Sequence, residues 1–195
     1  DYSTICEKLP SYFGIVIRSR IPMDENLMAS APNLAFIARS GAGLENIDLL
    51  AAKAKNISII SSPEGNMDAV GEHTIGMLLM LFNRLAIADA EVKKGIWLRE
   101  ENRGIELQNL TLGIIGFGHM GSALAKKLSG FGCKILAYDK YKTDYAPDYV
   151  EETSLEKLQA EADVISIHLP MSDETKYYID SDFIAACKKP FFLVN

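Results

Sequence analysis

The chain has 195 residues, 48% of them hydrophobic, enough apolar content for one sizeable core or two small ones. A formal net charge of −6 and no basic run longer than two residues exclude a general binder of nucleic acid or other polyanions. Cys6, Cys133 and Cys187 are odd in number, far apart and in no metal-ligand or C-x-x-C spacing, which fits reduced thiols in a cytoplasm.

Residues 4 to 60 alternate helical and strand patterns: Thr4 to Leu9, Gly14 to Arg18, Met23 to Ser30, Leu34 to Ala38, Ile47 to Ala54 and Ile57 to Ile60. Such alternation predicts a parallel sheet, whose ligands gather at the C-terminal ends of the strands. The first strand hands over there to Arg18 and Arg20. The second runs into Arg39-Ser40-Gly41-Ala42-Gly43. Two glycines one residue apart can present neighbouring N–H groups as an anion nest, with Arg39 as a bidentate donor, although the same glycines would also serve a plain βα turn.

Ser61-Ser-Pro-Glu-Gly65 is the best domain boundary, dividing a first domain at 1–65 from a second at 66–195. Asn66 or Asp68 can cap a long helix from about Met67 to Lys94, closed by Gly95. Its middle, Ile75 to Phe82, is apolar on nearly every face, which calls for cover from another domain or a second subunit, and so for a homodimer or higher homo-oligomer. The same stretch is too short to cross a bilayer, and no signal-peptide pattern precedes it. Residues 96 to 109 form an irregular connection.

From Thr111 to Asp139 the order is strand, glycine turn, helix, strand. Leu112 to Ile115 leads into Gly116-Phe-Gly118-His119-Met120-Gly121, and a helical pattern through Leu124 and Leu128 follows. Gly116 permits the turn, Gly118 lets a pyrophosphate approach the backbone, and Gly121 lets helix and strand pack closely. N–H groups at the helix start point at the same spot. A second apolar run, Cys133 to Tyr138, ends on Asp139, about 20 residues past the glycines as the dinucleotide fingerprint requires. A carboxylate there accepts from a ribose 2′-OH and repels a 2′-phosphate, favouring NAD, with Lys140 leaving some allowance for NADP. Further on, Thr153-x-x-Glu156 reads as a capping box for a helix to about Ala160, Val164 to His168 as a strand ending in Leu169-Pro170, Asp180 or Ser181 as the cap of a helix to Cys187, and Phe191 to Asn195 as a buried strand. A start without Met and an end on an apolar strand read as an internal segment of a longer protein.

RSGAGLENIDLLAA at 39–52, PEGNMDAVGEHTIGMLL at 63–79, GIIGFGHMG at 113–121 and ADVISIHLPMSDETKYYI at 162–179 together resemble the D-specific 2-hydroxy-acid dehydrogenases, nearest to members acting on 3-phosphoglycerate. The resemblance implies a Rossmann-like parallel-sheet cofactor domain plus a partial flavodoxin-like α/β substrate domain, with substrate and NAD meeting in the cleft between them. It implies that Arg18 and Arg39 approach a substrate phosphate, that the Ser40–Gly43 backbone receives the carboxylate, and that Ala42 faces the nicotinamide. His119 and Met120 correspond to pyrophosphate-turn residues, Asp139 to the ribose acid, and Leu169 and Pro170 to the strand end flanking the adenosine half. The catalytic arginine, glutamate and histidine of the family correspond to positions after Asn195, so the resemblance assigns no catalytic residue and no metal to this chain. His168 is the one tempting substitute base, yet it matches a cofactor-side position; His73 reads as a packed or interdomain residue. Two other readings of the resemblance are a reductase of unphosphorylated 2-oxo acids such as glyoxylate or hydroxypyruvate, and an NAD(H)-sensing corepressor-like protein.

Overall fold

A computed structural model describes residues 1–195. The chain divides into two compact units, Asp1–Asn66 and Met67–Asn195.

The first unit alternates α1 (Tyr2–Lys8), β1 (Gly14–Ile17), α2 (Glu25–Ala29), β2 (Phe36–Arg39), α3 (Leu49–Ala54) and β3 (Ser58–Ser61). Asp1, Asp24 and Asp48 each cap the helix that follows, accepting a backbone N–H from its first turn. The strands form one parallel sheet in the order β1-β2-β3. Its core joins Ile17 and Ile37 to Met23, Leu27, Met28 and Ala52. Arg18 therefore falls just past β1, and Arg39 is the last residue of β2.

The second unit contains α4 (Met67–Phe82), α5 (Leu85–Val92), β4 (Thr111–Ile115), α6 (His119–Leu128), β5 (Lys134–Tyr138), β6 (Glu151–Glu152), α7 (Leu155–Glu161), β7 (Val164–Ile167), α8 (Ser181–Ala186) and β8 (Phe192–Val194). All five strands are parallel, in the order β6-β5-β4-β7-β8. Side chains alternate across the sheet. Leu112, Ile114, Ile135 and Ala137 pack with Leu78 and Phe82 of α4 and Leu124 and Leu128 of α6, whereas Ile115 and Ile165 pack with Leu158 of α7 and Phe183 of α8. Helices thus cover both faces, the doubly wound arrangement.

Four sequence expectations are corrected. The helix expected over 67–94 is broken: Arg84 adopts a left-handed conformation (φ 50°), and the Phe82 carbonyl, which would accept the next helical bond, takes the Ile105 N–H at 3.1 Å. The cap of α7 is Ser154, not Thr153, because the Thr153 N–H is already donated to the Ala137 carbonyl at 2.9 Å as the chain leaves β6. The expected buried C-terminal strand is an edge: β8 pairs only with β7, and Phe192 and Leu193 are exposed. Of the two readings of His73, packed or interdomain, its exposure on α4 removes the packed one. The edge strand β6 has no counterpart among the sequence expectations.

Candidate nucleotide and substrate sites

At the end of β4 the chain turns at Gly116, whose φ of +89° suits glycine. A Cβ there would lie 2.6 Å from the His168 carbonyl oxygen at the end of the neighbouring strand, and one on Gly121 would lie 2.2 Å from the Gly116 oxygen. Both positions are closed to any side chain. Gly118 is the opposite case: it begins α6, caps it with no side chain, and has nothing within 4 Å of a would-be Cβ. The open space over an uncapped ten-residue helix is what a pyrophosphate needs, with His119 and Met120 in the same first turn.

Asp139 stands just past β5. Its Oδ2 accepts the Phe117 N–H at 2.9 Å and its Oδ1 the Tyr141 N–H at 3.0 Å, so the carboxylate is fixed beside the glycine turn with lone pairs to spare for ribose hydroxyls. Gly116, Gly118, Asp139, Leu169 and Pro170 border one cavity of ≈ 230 Å³. Tyr141, Glu174 and Tyr178 also border it, none of which was singled out from the sequence. The signal was faint: the polar MSDET stretch after Pro170 folds into a turn in which Thr175 Oγ1 donates to the Pro170 carbonyl at 2.5 Å. His168 also borders this cavity, with Nε2 2.8 Å from Ser166 Oγ. Burial lowers its pKa to about 4, so the imidazole is neutral at neutral pH.

Arg18, Arg39 and Ser40–Gly43 border a separate cleft of ≈ 340 Å³ in the first unit, along with Ser19, Ser62, Gly65 and Asn66. Ala42 lies here, in the first unit, and not in the lining of the Asp139 cavity. Gly41 has φ +137°, which suits glycine in the turn after β2. Arg39 Nη1 donates to the Ser40 carbonyl at 2.6 Å, while its Nε is buried without a hydrogen-bond partner. A buried unpaired guanidinium N–H is costly unless an acceptor enters, which fits an anionic ligand. Ser62, Gly65 and Asn66 join the cleft through a contact remote in sequence, Ser62 N–H to the Gly41 carbonyl at 3.0 Å.

A doubly wound parallel sheet with an open glycine turn and a fixed acid at the next strand end defines a nucleotide-binding domain of the dehydrogenase type. Residues 75–195 match the family model described as "D-isomer specific 2-hydroxyacid dehydrogenase, NAD binding domain". The chain belongs to that family, and its second unit is an NAD-binding domain. It is 34% identical over 197 residues to a D-3-phosphoglycerate dehydrogenase of Mycobacterium leprae, covering 100% of this chain and 37% of that protein. It is 36% identical over 189 residues to a hydroxypyruvate reductase of Thermotoga maritima, covering 96% of this chain and 61% of that protein. Among solved structures, D-lactate dehydrogenase from Aquifex aeolicus complexed with NAD and lactic acid superposes with a TM-score of 0.87 at 34% identity, over 97% of this chain and 58% of that one. NAD-dependent formate dehydrogenase from Staphylococcus aureus in complex with NAD gives 0.82 at 30% identity, over 98% and 59%. The chain thus spans only part of each relative's length. No helix is long and apolar enough to cross a membrane.

Proposed function

We propose that the protein to which this chain belongs is a cytoplasmic NAD-dependent dehydrogenase that oxidises D-3-phosphoglycerate to 3-phosphohydroxypyruvate, the entry step of serine synthesis. The observation that carries the substrate is the pair of arginines at one strand edge, Arg18 just past β1 and Arg39 at the end of β2, in a cleft where the Arg39 Nε lacks a partner. A phosphate has oxygens enough to accept from both guanidinium groups, which an unphosphorylated acid lacks at that end. The relatives named as D-3-phosphoglycerate dehydrogenases support the same reading. NAD, when bound, supplies the hydride acceptor. The turn at 116–121 holds its pyrophosphate, Asp139 its adenosine ribose, and Leu169 and Pro170 the flank of the adenosine. The Ser40–Gly43 backbone receives the substrate carboxylate.

His168, the histidine that borders the nucleotide cavity, is poorly suited to take the hydroxyl proton: with a pKa lowered to about 4 and a bond to Ser166, it is a weak base. The chain alone accordingly binds NAD without turnover. A second reading, reduction of unphosphorylated hydroxypyruvate or glyoxylate, is favoured by the Thermotoga maritima relative. One set of assays separates the two. The 195-residue chain should produce no NADH from 3-phosphoglycerate. The full-length protein should show a higher kcat/KM for phosphohydroxypyruvate than for hydroxypyruvate, and Arg18→Ala should lower only the former, by roughly tenfold or more. Equal losses on both substrates would make Arg18 a ligand of the shared carboxylate and favour the reductase, and no loss on either would return it to a surface charge.

We also infer that the protein is a homodimer or a higher homo-oligomer. Met80 and Leu81 of α4, Leu85 of α5 and Trp97 are exposed, an apolar surface that a second copy would cover.

A further inference from the structure

The cavity beside Asp139 carries a charged pair that neither the glycine turn nor the substrate cleft uses. The Lys140 ammonium is paired with Glu174 Oε1, from the loop after Pro170, and Glu174 Oε2 accepts the Tyr141 hydroxyl. All three residues border the cavity along with Asp139. Lys140 is the only lysine or arginine in that border, and His168 there is neutral. The next cation along the loop, Lys142, donates to the Phe117 carbonyl at 2.7 Å. A dinucleotide that carries a 2′-phosphate needs a cation close to the adenosine ribose. Here the one on hand is held by a carboxylate.

We propose that Glu174 is a specificity-determining residue: by holding Lys140 it denies an adenosine 2′-phosphate its counter-charge, and so acts with Asp139 to select NAD over NADP. The inference rests on the dinucleotide reading of the glycine turn. Without Glu174, Lys140 is one residue from Asp139 on a flexible stem and can swing to a phosphate. With it, an incoming phosphate meets two carboxylates, and recruiting the lysine means breaking both the ion pair and the Tyr141 hydrogen bond. The pairing also holds the Glu174 carboxyl below and the Lys140 ammonium above their ordinary pKa ranges, so both groups stay charged at neutral pH. If the pair merely ties two loops together, its loss affects both dinucleotides alike, and the ratio of their affinities does not move.

That ratio is the measurement. The 195-residue chain, Glu174→Gln, Lys140→Met and the double variant are titrated calorimetrically with NADH and NADPH at low salt. The expected result is that Kd(NADPH)/Kd(NADH) falls about fivefold in Glu174→Gln, the order of one exposed charge interaction, and returns to the parent value in the double variant. An unchanged ratio in Glu174→Gln, or a fall that persists when Lys140 is also replaced, overturns the proposal. A parent chain that binds neither nucleotide overturns instead the dinucleotide reading beneath it.

Discussion

Two backbone carbonyls and one imidazole crowd the glycine turn beside the nucleotide cavity. Gly116 faces the His168 carbonyl, Gly121 faces the Gly116 carbonyl, and the His168 ring is held by Ser166. Because burial lowers the His168 pKa from 6.5 to about 4, the folded chain binds fewer protons than the unfolded chain between those values. Stability from this residue is therefore complete above about pH 6.5 and is lost as pH falls toward 4, with on the order of 2–3 kcal/mol at stake. Thermal melts between pH 7 and pH 4.5 should show a steeper loss for the parent than for His168→Gln, which keeps a polar group near Ser166 but does not titrate. Parallel profiles would remove this role. At this scale the sequence was informative where spacing along the chain encodes the contact, as from the glycines to Asp139. It was silent on Glu174, whose partners Lys140 and Tyr141 lie more than thirty residues away and meet it only through the fold.

Helix starts and stops were legible where local chemistry decides them. Asp180 caps α8, accepting the Phe183 N–H at 2.8 Å. The helical run through α5 ends at Gly95: its N–H bonds to the Val92 carbonyl at 2.9 Å and the Ile96 N–H to the Glu91 carbonyl at 3.0 Å, a Schellman closure with Gly95 at φ +74°. Nothing lies within 4 Å of a Cβ built there, so Gly95→Ala should cost backbone strain alone, about 1 kcal/mol, read as a Tm lower by a few degrees. No change in Tm would mean that the closure contributes little. The break between α4 and α5 was not legible, because a long-range hydrogen bond from Ile105 decides it. The cap of α7 was misread by one residue for a similar reason, since the edge of β5 claims the Thr153 N–H. The strand β6, only two residues long, leaves no periodic signal.

For the whole molecule, alternation of apolar strands with helical patterns was enough to give parallel sheets, and the order β6-β5-β4-β7-β8 follows from winding outward in both directions from the glycine-turn strand. The cover of the apolar surface on α4 and α5 belongs to this scale too. Sedimentation of the full-length protein should give a dimer at micromolar concentration, and Met80→Glu combined with Leu81→Glu should shift it to monomer. Dimers that persist in that variant would place the interface elsewhere.

Every strand pairing in both units is parallel, and the isolated bridge between Met23 and Ile47 is parallel as well. No hairpin exists to nucleate either sheet, so the first inter-strand bond must wait for an entire crossover to form and loop back. Refolding is therefore slow for a chain of this size, and unpaired strands stay exposed to one another meanwhile. Recovery from denaturant should fall with rising protein concentration, a kinetic burden set by connectivity rather than by any single side chain.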